Sequence, residues 1–233
     1  MSTPASSTVE ARLHALFDAE RAVRKTHEAL LHGDRAAVVK AACAEVQVAL
    51  AAIESEAEDA NLRLVRLAAL LGDAEGGDPA VDALIDILAC EEPEARHVAG
   101  QALEDLAFDR FKEVALGIER ALERLPVGSA ALTELPYLLA EVGEPGCLKL
   151  LGRFLRHADA DAVAAAIEAL VEMGDPSAAS LLAPLEKDAR QVQLDDDDAE
   201  RVSIGDLASE ARQLLLEIEP GPGPGPRKGG APR

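Results

Sequence analysis

The chain has 233 residues, 48% of them apolar but only 2% aromatic: four Phe, one Tyr and no Trp. That composition excludes the aromatic-filled interior usual in sandwiches and barrels and leaves Ala, Leu and Val to pack closely spaced helices, so an all-α protein is expected. The net charge of −20 divides into −4 over 1–77, −19 over 78–219 and +3 over 220–233, which excludes a phosphate backbone or an anionic membrane surface as ligand of the central block.

In chain order, the start Met1-Ser2-Thr3-Pro4 has no basic stretch followed by an apolar one, which predicts no secretory leader, and no apolar run reaches membrane-spanning length. A cytoplasmic location is therefore expected. Helical hydrophobic periodicity predicts helices over 8–31, 35–54 and 58–71, with a break at His32-Gly33-Asp34. The first reads as a cap and the next two as a degenerate first repeat, so that 1–55 forms an N-terminal helical region.

From there a repeat emerges. Gly77-Asp78-Pro79, Gly143-Glu144-Pro145 and Gly174-Asp175-Pro176 each put a helix-closing glycine before an acidic cap and a proline suited to the first helical turn. With Asp109-Arg110 in the missing place, unit starts fall at 78, 109, 144 and 175, spaced by 31, 35 and 31 residues. Such lengths fit two helices and a turn. The predicted pairs are 79–89 with 93–107, 111–125 with 129–142, 148–157 with 162–173, and 177–188 with 204–218. Pro136 is expected to kink the helix that contains it, and Asp159 or Asp161 to cap the helix at 162.

The stretch 189–203 contains four adjacent aspartates, Asp195 to Asp198, and predicts a mobile acidic loop. Residues 220–233, alternating Pro and Gly before a basic end, lack side chains large enough to offset ordering and predict a disordered tail. Cys43, Cys90 and Cys147 are too scattered for a zinc site or disulfide framework and read as small buried hydrophobes.

The second helices carry a resemblance. Pro93-Glu94-Ala95-Arg96-His97-Val98-Ala99-Gly100-Gln101-Ala102-Leu103, and Ala165-Ala166-Ile167-Glu168-Ala169-Leu170-Val171-Glu172-Met173-Gly174, resemble HEAT repeats of the bacterial type found in phycobiliprotein lyases. The likeness covers about 56–219. It implies a right-handed α-α superhelix of about five helix pairs, with second helices lining a concave, protein-binding side. Aligning those helices on their closing apolar pair sets Gln101, Tyr137, Glu168 and Gln213 in one row and Asp105, Glu141, Glu172 and Glu217 in the next. A wholly acidic row would attract a basic protein segment, and Tyr137 could anchor it.

Enzyme chemistry finds little support in the residues. A di-iron hydroxylase of HEAT-like repeats would need several His-Glu dipeptides, and only His27-Glu28 occurs. His14 with Asp18, and His157 with Asp159 and Asp161, suit a solvated face or a cap better than a metal. The aspartate run lacks the alternating ligands and central glycine of a helix-loop-helix calcium site, and no nucleophile elbow, phosphate loop or dinucleotide fingerprint is present. The reading is a non-enzymatic scaffold or adaptor without cofactor, metal, nucleic-acid or membrane ligand, its alternative a lyase-like chromophore transferase or chaperone implied by the resemblance alone.

Overall fold

The computed structural model describes residues 4–54, 59–74, 76–193 and 201–218, and they are overwhelmingly helical. The chain divides into two compact units, Met1–Gly117 and Ile118–Arg233. The predicted disordered tail over 220–233 and the aspartate run Asp195 to Asp198 lie outside the described residues.

In the first unit, α1 (Pro4–Leu31), α2 (Arg35–Glu54), α3 (Ala60–Asp73) and α4 (Gly77–Leu88) follow the expected order. Helices α2, α3 and α4 pack on one another. Their core is Val39, Val46, Leu64, Leu71, Leu84 and Ile85, aliphatic as the composition requires. By length and composition alone α2 qualifies as a membrane span over Arg35–Ile53. Counting uninterrupted apolar residues missed this, because Lys40, Glu45 and Gln47 break the run; α2 buries Val39, Ala42, Val46 and Ala49 on one side. Gly72, just past the predicted helix end at 71, lies inside α3. A Cβ there would come within 2.9 Å of Ala102 Cβ, so glycine allows α3 and the helix that carries Ala102 to approach closely.

The next two predicted helices form one run, α5 (Pro93–Arg124), interrupted at Arg110, whose φ of −140° and ψ of 44° are not helical. The proposed unit start at Asp109-Arg110 is thus a kink without a loop. Neither residue supplies the glycine or proline that ends a helix firmly.

In the second unit, α6 (Ala130–Val142), α7 (Cys147–Phe154), α8 (Ala160–Met173) and α10 (Ile204–Glu217) are regular. Helix α8 packs against α6, α7 and α10. Gly143 and Gly174 close α6 and α8 at φ 62°, as their place after the apolar pattern predicts. Pro136 sits buried within a continuous α6. The predicted helix 177–188 is broken into two 3₁₀ turns around α9 (Ala179–Leu182), because Pro176 and Pro184 each remove an amide donor.

The acidic caps are only partly as expected. Asp175 accepts from Ser177 N at 2.9 Å. Asp78, by contrast, lies in the first turn of α4 with Gly76 at the cap, and Glu144 precedes α7 without capping it by its side chain. The ends of the predicted loop 189–203 are strands instead. β1 (Gln191–Gln193) and β2 (Arg201–Ser203) pair antiparallel, with Val192 opposite Val202. Arg190 pins this ribbon: its guanidinium binds both Asp188 carboxylate oxygens and donates to the carbonyls of His157 at 2.9 Å and Ala158 at 3.1 Å. Those hydrogen bonds hold the Asp188 carboxyl below its ordinary range.

Candidate functional site

The site is built where α6 meets α8. Tyr137 stands on α6 after buried Leu135 and Pro136, so its ring points away from the core and is 41% exposed. Glu168, an exposed residue within a largely buried α8, accepts a hydrogen bond from the Tyr137 hydroxyl. Two members of the predicted first row therefore touch across neighbouring helices. Glu172, one turn beyond Glu168 on α8, and Glu134, one turn before Tyr137 on α6, also act electrostatically on the phenol.

A cavity of about 360 Å³ opens here, with Tyr137, Glu134, Asp161, Glu168, Val192 and Gln193 in its lining. The β1 residues reach it because Arg190 clamps the ribbon to the turn that enters α8. Glu134, Asp161, Val192 and Gln193 are absent from the sequence-derived rows. Glu134 was detectable as the i−3 neighbour of Tyr137 on one helix face. The ribbon was not, since the stretch reads as a loop by composition.

The remaining predicted residues are exposed but do not join this pair. Glu141 lies one turn beyond Tyr137 on α6, and Gln213 and Glu217 lie on α10, which packs against α8. Gln101 and Asp105 belong to the first unit. There they line a separate cavity of about 550 Å³ together with Asp73, Asp109 and Arg110.

Partial burial, then the hydrogen bond to Glu168, then the charges of Glu168, Glu172 and Glu134 raise the Tyr137 pKa well above its ordinary value. The neutral phenol is the form the fold favours. Its contribution to stability is present below the unfolded pKa of about 10 and is lost as pH rises through the folded value. Because Tyr137 is the only tyrosine, near-ultraviolet phenolate absorbance reads it alone. At about pH 11 the native protein is expected to remain mostly un-ionised while the urea-unfolded chain ionises. Glu168→Gln should move the native titration back toward the unfolded one; coincident wild-type and unfolded curves would contradict the hydrogen-bonded arrangement.

Other candidate chemistry does not assemble. His27 Nε2 pairs with Asp73 Oδ2 at 2.8 Å rather than with its neighbour Glu28. Asp159 caps α8, and its own amide donates to His157 Nδ1 at 3.2 Å. Among the described residues no three His, Cys, Asp or Glu side chains form a metal-holding group. Cys147 is buried and Cys43 and Cys90 half-buried; burial raises all three thiol pKa values.

No family model matches the sequence, and no curated protein matches it. Among solved structures, the chain is similar to two engineered proteins from the Northeast Structural Genomics Consortium. One is 18% identical at a TM-score of 0.35, covering 84% of this chain and 95% of that one. The other is 20% identical at 0.33, covering 84% and 97%.

Proposed function

We propose that this protein is a non-enzymatic adaptor, a HEAT-like α-solenoid of the cytoplasm that captures a partner protein through a basic segment. The observation that carries this reading is the Tyr137 ring standing exposed among Glu134, Glu168 and Glu172 beside an open cavity. An aromatic face flanked by carboxylates attracts Lys and Arg twice over, by cation–π contact and by charge. Glu141 extends the acidic surface along α6, and Gln213 and Glu217 offer further polar contacts on α10.

The test is affinity capture with mass spectrometry, comparing wild type with the variant carrying Glu141→Gln, Glu168→Gln and Glu172→Gln. Wild type is expected to retain a stoichiometric protein that roughly 0.5 M salt releases, because exposed charges are screened within a few ångströms there. The variant should lose it at unchanged helicity. Equal retention by the variant would falsify the acidic-face reading.

A further inference from the structure

The exposed first turns of α1 form an apolar stripe that the acidic face described above does not involve. Every residue from 8 to 26 is exposed. Ties of α1 to α3 include the His27 to Asp73 contact and the 3.5 Å approach of Arg66 to Glu20. Along the exposed stretch Val9, Leu13, Leu16, Glu20 and Val23 recur at alternating steps of four and three, the spacing of a two-helix seam. Val9 is 58% exposed, Leu13 47% and Leu16 57%, with Phe17 beside them at 51%. A helix this long draws most of its stability from packing an apolar face, so the stripe calls for a cover.

Charge narrows what that cover is. Residues 8–40 sum to +1, whereas 41–219 sum to −24, so two copies of this acidic chain meet with least repulsion at α1. The helix is also polarised: 8–19 carry −1 and 20–26 carry +2. An antiparallel crossing centred near Leu16 sets Val9 opposite Val23 and Glu10 of one copy alongside the turn bearing Arg21, Arg24 and Lys25 of the other, while a parallel crossing sets like against like.

We infer that two copies of this chain pair antiparallel through the Val9, Leu13, Leu16 and Phe17 face of α1. A two-fold arrangement of this kind is isologous and closes on itself. Sedimentation equilibrium of the full chain from about 1 to 200 µM should show a reversible dimer with a dissociation constant of order 10 µM. Leu13→Glu with Leu16→Glu should weaken pairing at least tenfold and leave the thermal transition unchanged, because neither side chain is in the core. Arg24→Glu should also weaken it, and adding Glu10→Arg should restore it. A wild type that stays monomeric at the highest concentration, or a leucine variant that pairs as well as wild type, overturns the inference. So does a monomer that co-sediments with vesicles of phosphatidylcholine and phosphatidylglycerol, which would assign the stripe to a membrane surface.

Discussion

Leu103→Asp is expected to be the most damaging single substitution, at about 4 to 5 kcal/mol, because it removes a fully buried aliphatic group and places a carboxylate without a partner in its room. Leu103 lies in the first half of α5 among buried Ala99, Ala102, Leu106 and Ala107, an apolar surround that does not stabilise a carboxylate. The loss is comparable to the whole stability of many domains. Chemical denaturation followed by circular dichroism should show the midpoint fall sharply. Amide exchange should rise first in the unit Met1–Gly117, where Leu103 sits. An unchanged thermal transition would remove Leu103 from the core.

Asp159→Ala should rank next, at about 2 to 4 kcal/mol, since three backbone amides lose their acceptor together. Asp159 is 2% exposed. It takes the amides of Asp161 at 3.0 Å and Ala162 at 3.3 Å at the start of α8, and the amide of Gly128 at 2.6 Å from the loop before α6. It is thus at once the cap of α8 and a tie from α8 to the loop before α6. Asp159→Asn keeps a good capping acceptor and should cost only about 1 kcal/mol. Urea unfolding of the pair separates the two roles: equal losses for Ala and Asn would mean that charge, and not the acceptor geometry, holds the turn.

Much of the helical content was legible because it rests on local chemistry. The apolar period of 3.6, the break at His32-Gly33-Asp34 and the left-handed glycines at 143 and 174 each act within a few residues. Helix ends were less legible where two signals compete. Asp78 and Glu144 follow the same glycine-acid-proline pattern as Asp175, yet Asp175 holds the cap position of its helix while Gly76 and Gly146 hold it at α4 and α7. At Arg110 the chain bends with no breaker residue at all, so only packing places the interruption. The helix predicted over 177–188 failed for the opposite reason: Pro184 lay in plain view, but periodicity outweighed it.

The candidate site was half legible. Row alignment placed Tyr137 beside Glu168, because residues at equal heights on successive packed helices meet face to face. It left out Glu134, which needed only the i−3 rule, and Val192 with Gln193, which no local pattern signals. Two residues of extended backbone become part of the site solely because Arg190 bonds carbonyls more than thirty positions earlier.

By itself the sequence determined that this is a helical, aliphatic, strongly acidic chain, and where most helices run, since propensity, period and net charge are summed along the chain. Tertiary structure alone decided that α3 meets α5 at Gly72, that Asp159 ties α8 to the loop before α6, that a short ribbon walls the Tyr137 cavity, and that the apolar stripe of α1 stays uncovered. Each of these depends on which distant surfaces are brought within a few ångströms, a distance that contacts act over and sequence separation does not measure.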